Sequence, residues 1–491
     1  TNNNFMRKVF VGLLCTVALG AFANPADDLL NRIDKGAAAK FKTVLVKSDK
    51  DFFEIDQART RKGNSTSAAS KSATGKNNPI IIRGNSWVNI AVGINWYLKH
   101  HAGIHISWNN MNVKLPAVLP VVKQKERHET DLKLRYNFNY CTFSYTMAFW
   151  DWNRWQKEID WMALHGINMP LATVGTESVW RNMLLKLGYS EEEVGKFIAG
   201  PAFLAWWEMN NLEGWGGPLP LSWYKQQETL QKKILARMKE MGMKPVLPGY
   251  CGMVPHDAKQ KLGLNVTDAG RWNSYQRPAN LSPTDSRFAE IADLYYKELT
   301  RLYGKSDYYS MDPFHESGND AAVDYGKAGE ALMSAMKRAN PHAIWVVQGW
   351  NENPRPQMIA NLKVGDLLVL DLFSESRQNF EDFCTEDNTS GTGKKNFSTS
   401  KKEGIYGKHQ WLFCLLENFG GNVGLHGRMD QLLNNFYLAT GKKDTPKQEN
   451  SSLLTLHSSL KGWGFTMEGS ENNPVMFELM SELPWRAEKI T

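Results

Sequence analysis

From about Lys133 onward the chain alternates short apolar runs with amphipathic stretches. Leu134–Phe143 reads as a strand. Trp152–Leu164 reads as a helix with Trp152, Trp155, Ile159 and Met162 on one side and Gly166 ending it. Ile167–Val174 is the next apolar strand. The helix 223–241 is closed by Gly242 and followed by a strand over 244–248; a second helix over 286–302 is closed by Gly304 and followed by a strand over 307–311. The pattern continues with a helix over 325–339, a strand over 344–348, a short helix over 358–362 and strands over 367–373, 410–416 and 462–466. A weaker extra strand falls on 203–207, and a closing helix on 474–483. Strands alternating with helices imply a parallel sheet. Eight or so such units over roughly 340 residues predict an α/β fold, a closed (β/α)8 TIM-like barrel with long loops. The alternative, an open doubly wound sheet, lacks its glycine-rich turn after an early strand.

The residues before the barrel follow a different pattern. Ile80-Ile81-Ile82 is a short strand, Gly84-Asn85-Ser86 supplies a turn and a helix N-cap, and Trp87, Ile90, Ala91, Ile94 and Leu98 follow at helical spacing. The tract 63–78, rich in Ser, Ala, Gly and Lys, reads as a loop, and 116–122 as a connection to the barrel. The expected organisation is an export signal with leader residues over 1–23, a small N-terminal α/β domain over 24–125, and the catalytic barrel over 126–491. The signal rests on Arg7-Lys8, the apolar run 9–19 and the small-x-small triplet Ala21-Phe22-Ala23. That run is shorter than the roughly 20 residues a membrane span needs, and Leu14 before Cys15 does not suit a lipoprotein site. The mature chain is thus expected to lack an integral membrane segment and to be exported, to the periplasm or beyond.

Charge narrows the function further. Without Arg7 and Lys8 the balance is 56 basic against 51 acidic residues, or +5, spread along the chain. A nucleic-acid partner needs a concentrated basic face, and the basic clusters at 59–62 and 394–402 sit in polar loops instead. Cys141, Cys251, Cys384 and Cys414 are far apart, with no CxxC pair and no HExxH for a metal. His100, His101 and His105 read as a solvated helix end rather than a metal site. No cofactor or metal is called for. The 18 Trp suit either a Trp-rich core or flat surfaces for sugar rings.

Catalytic groups of a barrel stand at the C-terminal ends of its strands. Those ends carry Asn139-Tyr140-Cys141, Glu177, Tyr250-Cys251, Asp312 and Glu316, Gln348-Gly349-Trp350, Glu375, Glu417-Asn418 and Glu468. Many carboxylates, several aromatics and no metal set suit a glycosidase, which needs one carboxyl to protonate the leaving oxygen and another to attack or activate water. Each such Glu alone also suits a helix cap or a loop ion pair, so composition does not select the pair.

Longer motifs carry a resemblance. They are Arg135-Tyr136-Asn137-Phe138-Asn139-Tyr140-Cys141-Thr142, Phe149-Trp150-Asp151-Trp152-Asn153-Arg154-Trp155 and Glu158-Ile159-Asp160-Trp161-Met162-Ala163-Leu164-His165-Gly166-Ile167-Asn168. Further along stand Ala202-Phe203-Leu204-Ala205-Trp206, Gly216-Gly217-Pro218-Leu219-Pro220, Asp312-Pro313-Phe314-His315-Glu316, Gln348-Gly349-Trp350 and Asn418-Phe419-Gly420-Gly421-Asn422. With these the chain resembles the α-N-acetylglucosaminidases, family 89 of the glycoside hydrolases, over nearly its whole mature length. The resemblance implies a retaining exo-glycosidase that removes terminal α-linked N-acetylglucosamine from a glycan. In that reading Glu316 is the acid/base and Glu468 the nucleophile, with Glu471 competing three residues on. It further implies substrate contacts from Asn139, Cys141, Trp206, Trp350 and Asn418. Asn211 and Glu213 depart from the family's usual residues, and the Gly462–Glu471 segment departs more than the rest. The alternative function is a carbohydrate-binding protein that kept the fold and lost turnover. The family's barrel is followed by a large helical domain, and the chain as given stops at Thr491, so a fragment or a more open site is expected.

Overall fold

The structure, a computed structural model, describes residues 24–57, 78–314, 316, 323–351, 353–380, 406, 408–422, 424–442 and 457–490. The export signal, the basic clusters at 59–62 and 394–402, Cys384 and all but the last residue of the 63–78 tract lie outside the described residues.

The small domain is a four-stranded mixed sheet of β1 (Phe41–Leu45), β2 (Asp51–Gln57), β3 (Ile80–Gly84) and β4 (Glu126–Thr130), in the order β1-β3-β2-β4. The helix Trp87–His100 packs on it, capped as predicted by the Ser86 side chain, which accepts from Asn89 N at 3.1 Å. The strand β4 corrects the expected boundary at residue 125. Its sequence Glu-Arg-His-Glu-Thr has no apolar alternation to announce a strand, yet it pairs antiparallel with β2 along the sheet edge, where charged side chains stay wet.

The barrel strands are β5 (Leu134–Asn137), β6 (Met169–Pro170), β7 (Val246–Pro248), β8 (Tyr308–Ser310), β9 (Ile344–Gly349), β10 (Leu367–Asp371), β11 (Gln410–Leu415) and β12 (Leu460–Phe465). They run β6-β5-β12-β11-β10-β9-β8-β7, every pair parallel. The single bridge between Leu171 and Val246 brings the two ends together, with Ala172 N donating to Val246 O at 2.9 Å. Strands covered on both faces read as unbroken apolar runs, which is why Leu-Leu-Val-Leu in β10 is entirely buried. Trp155, Trp161, Trp207, Trp345, Trp411, Trp463 and Trp485 are fully buried, so much of the Trp content is core. Close strand approach explains Gly462: a Cβ there would meet Leu134 O of β5 at 1.7 Å.

Arg135, fully buried at the start of β5, locks the two domains together. Its guanidinium donates to Asp51 Oδ2 at 2.6 Å and Asn89 Oδ1 at 2.8 Å in the small domain, and to Gly166 O in the barrel.

Three expected elements change. The strand expected over Leu134–Phe143 ends at Asn137, because Phe138 turns into the left-handed region (φ 90°) and Asn139 caps a new helix, Tyr140–Tyr145. The segment 203–207 is helical, not a strand. The apolar run Ile167–Val174 supplies only two ladder residues, Met169–Pro170. His100, His101 and His105 each face a carboxylate, of Glu482, Glu126 and Glu478 respectively. Among the described residues no group of three or more His, Cys, Asp or Glu could hold a metal, and no helix is long and apolar enough to cross a membrane.

Candidate active site

The C-terminal ends of β5, β8, β11 and β12 converge on one rim. Glu316 follows β8, with its backbone in the left-handed region (φ 47°). Two groups hold it. Asn211 Nδ2, fully buried, donates to Glu316 Oε2 at 2.6 Å. Arg277 Nη2 donates to the Glu316 carbonyl at 2.9 Å, and Arg277 Nη1 reaches Asn210 O at 3.3 Å. One buried guanidinium therefore fixes both the acceptor and the backbone next to its donor. Burial lowers the pKa of Arg277, and the negative charge of Glu316 opposes that shift.

Glu468 stands three residues beyond β12 and accepts from the backbone N–H of Gly420. Burial raises its pKa, the Gly420 bond pulls it back, and the charge of Glu316 raises it further. Cys141 feels both carboxylates. Burial first, then the charges of Glu468 and Glu316, push its thiol far above the usual range, so it remains a neutral SH. The charge of Glu316 thus reaches both Glu468 and Cys141.

The sequence builds this rim by local capping. The Asn139 side chain accepts from Cys141 N at 3.0 Å and donates to Thr466 O at 3.2 Å, while Thr142 Oγ1 donates to Met467 O at 2.6 Å. Both ends of the Asn139 amide are thus bonded to backbone, which fixes Cys141 and the approach to Glu468. The glycine pair after β11 also has a reason. Gly421 (φ 66°) lies so close to Tyr145 that a Cβ would fall 2.9 Å from its ring, and a Cβ on Gly469 would fall 2.8 Å from Gly421 Cα. Asn418 Nδ2 ties this loop to Asn422 O at 2.6 Å and Gly469 O at 3.4 Å. Trp206 stands edge-on to Tyr145 with ring centroids 4.9 Å apart, and Trp350 follows β9 directly.

The competing carboxylates separate by their surroundings. Glu471 pairs with Arg154, Nε to Oε1 at 3.1 Å, and Arg154 also faces the buried Glu158 at 3.0 Å. Glu375 lies buried, accepting from Leu416 N at 3.1 Å and Glu417 N at 2.7 Å; burial pushes its pKa to about 8. Glu177 accepts from Trp223 Nε1 at 2.7 Å and is pushed to about 7 by burial. These two serve as internal supports. The buried acceptors that find no donor among the described residues include Asn211 Oδ1, Asp312 Oδ2, Glu417 Oε1 and Asn418 Oδ1. Sequence reasoning noticed Asn211 only as a departure and missed Arg277 and the Gly420 N–H altogether.

A parallel eight-stranded barrel with two carboxylates at its C-terminal rim is the architecture of a glycoside hydrolase. The family models agree: the alpha-N-acetylglucosaminidase (NAGLU) tim-barrel domain matches residues 135–487, and the N-terminal domain of the same family matches residues 24–121. The chain belongs to the alpha-N-acetylglucosaminidase family. It is 35% identical over 425 residues to the human alpha-N-acetylglucosaminidase, covering 83% of this chain and 53% of the human one. It is also similar to a family 89 glycoside hydrolase from Clostridium perfringens solved with 2-acetamido-1,2-dideoxynojirmycin (TM-score 0.81, 31% identity, 95% of this chain and 48% of that one). A form of the Clostridium perfringens protein with two Glu→Gln substitutions was solved with its substrate GlcNAc-alpha-1,4-galactose (TM-score 0.81, 30% identity, the same coverage). The chain spans about half the length of these relatives.

Proposed function

We propose that this chain carries the catalytic barrel of a retaining exo-glycosidase that removes terminal α-linked N-acetylglucosamine from glycans, and that it works outside the cytoplasm. The observation that carries the reading is a pair of carboxylates, Glu316 after β8 and Glu468 after β12, at the C-terminal rim of the barrel. Each is oriented by one amide N–H donor, Asn211 Nδ2 for Glu316 and the Gly420 backbone for Glu468.

The steps follow from those roles. Glu316 gives its proton to the glycosidic oxygen as the C1–O bond breaks, and the bonding pair leaves with the oxygen. Glu468 attacks C1 and forms a glycosyl-enzyme. Glu316 then takes a proton from water, whose oxygen attacks C1 and displaces Glu468, restoring the original configuration. Around the sugar we assign recognition to Cys141, Trp206, Trp350 and Asn418, with Asn139 holding Cys141 in place.

The test is turnover of an aryl α-N-acetylglucosaminide followed by NMR of the first-formed sugar. The α anomer is expected. The β anomer would overturn the retaining mechanism, and binding without turnover would show a carbohydrate-binding protein on the same barrel.

A further inference from the structure

The rim beside Glu316 carries an aromatic cluster that the catalytic steps leave unused. A two-residue-per-strand antiparallel hairpin, Arg271–Trp272 against Tyr275–Gln276, presents Trp272 and Tyr275, both half-buried. Trp215 packs against Tyr275 with ring centroids 5.1 Å apart and planes at 69°, and Trp272 lies 6.3 Å from Tyr275 at 31°. Trp215 is 49% exposed, a large area of indole to leave in water at a well-formed contact.

The cluster is attached to the machinery that holds Glu316. Glu213 N donates to Gln276 O at 3.0 Å, which joins the hairpin to the loop carrying Asn211 and Trp215. Arg277, two residues after Tyr275, donates to the Glu316 carbonyl. Two residues of chain reach at most about 7 Å and the four from Asn211 to Trp215 at most about 14 Å. The side chains of Arg277 and Asn211 add to those spans, and the rings sit on the same two chain segments that hold Glu316.

Direction follows from chemistry. A general acid faces the oxygen that departs, so the scaffold bearing Glu316 faces the leaving saccharide, whereas Glu468 faces the anomeric carbon of the retained sugar. We propose that Trp215, Tyr275 and Trp272 form a stacking platform for the leaving-side saccharide of the substrate. The occupant is one or two pyranose rings, whose C–H faces lie on the indole and phenol. This assignment rests on the reading of Glu316 as the acid.

The experiment compares two substrates in the whole protein: a trisaccharide ending in α-linked N-acetylglucosamine, and the corresponding glycosyl fluoride, which has no leaving sugar. The ratio of their kcat/KM values is measured for the wild type, Trp215→Ala, Tyr275→Ala and Trp215→Phe. In the alanine variants the ratio is expected to fall about tenfold, through the KM of the trisaccharide, and Trp215→Phe is expected to recover most of it. A ratio that stays at its wild-type value overturns the platform alone. Equal losses on both substrates overturn it too, since they would mean that the cluster only supports Glu316. A change confined to the oligomeric state would show that the surface meets another protein, against the platform. A wild type that cleaves neither substrate overturns the glycosidase reading and the platform with it.

Discussion

At the scale of single residues, the hydrogen bond from Asn211 to Glu316 matters more than its distance in sequence suggests. A donor 2.6 Å from a carboxylate oxygen orients the acid and leaves the other oxygen for the proton in flight. Bonds of this kind are worth about 1.5–3 kcal/mol. Asn211→Ala is therefore expected to lower kcat by roughly ten- to a hundredfold on alkyl glycosides, and less on an aryl glycoside, whose leaving group needs less protonation. Equal loss on both substrates would show that Asn211 supports the fold rather than the acid. The two carboxylates after β12 allow a second test. Glu468→Ala is expected to abolish turnover, with azide restoring part of it and giving a product of inverted configuration. Glu471→Ala breaks only a half-exposed pair with Arg154, worth roughly 0–1 kcal/mol, and is expected to retain turnover. Azide rescue of Glu471→Ala instead would move the nucleophile three residues along.

At the scale of elements, β12 is where the barrel depends most on a missing side chain. A Cβ on Gly462 would collide with the backbone of β5, which cannot move without opening the ladder that also positions Thr466, Met467 and Glu468. Gly462→Ala is expected to cost several kcal/mol, an overpacking penalty at its upper end, and to lower the thermal midpoint and the activity together. A variant with wild-type melting would mean that the two strands can separate freely. The same strand shows what a sequence can convey. The helix Tyr325–Ala339 and the strand starting at Ile344 were legible from periodicity, since their burial patterns are simple. The end of β5 was not. Tyr-Asn-Phe-Asn-Tyr-Cys-Thr-Phe is apolar enough for a long strand, and only the turn at Phe138 with the Asn139 cap divides it. Glu316 could be picked out because it stands at a strand end inside a longer motif, and Glu468 because it stands just past a strand end, in a segment where the resemblance is weaker. Their partners could not: Asn211 lies 105 residues from Glu316 and Arg277 lies 39, and neither spacing has a period or motif to reveal the contact.

At the scale of the whole molecule, the seam between the small domain and the barrel is ionic, and that sets how stability responds to acid. Lys99, in the helix Trp87–His100, reaches across to Glu478 and Glu482 of the closing helix Pro474–Glu482. Glu478 also faces His165 at 2.9 Å and His105 at 3.7 Å, and Glu482 faces His100 at 3.4 Å and Arg486. Burial alone would raise both carboxyls. For Glu478, His165 and Lys99 outweigh it and hold the group far below the usual range. For Glu482, the His100 bond and the Lys99 charge bring it to about 2. Glu126, on β4, is brought to about 2 chiefly by the bond from His128, against burial and with help from His101. All three have folded pKa values below their unfolded ones. Their stabilisation is therefore complete above an unfolded pKa of about 4.3 and is lost as pH falls toward 2. The thermal midpoint is expected to drop steeply between about pH 4 and pH 2. Lys99→Met tests the cause. Removing the cation leaves Glu478 and Glu482 less well paired in a largely buried seam, which costs about 3–5 kcal/mol at neutral pH when a buried pair is broken. It also raises their folded pKa values, so less stability remains to be lost on acidification. The variant is expected to melt several degrees below the wild type at pH 7, with the gap narrowing by pH 3. A gap of constant size from pH 7 to pH 3 would mean that Lys99 acts through its ammonium over the Trp96 ring, 5.8 Å from the centroid, and that the acid sensitivity of the seam comes from elsewhere.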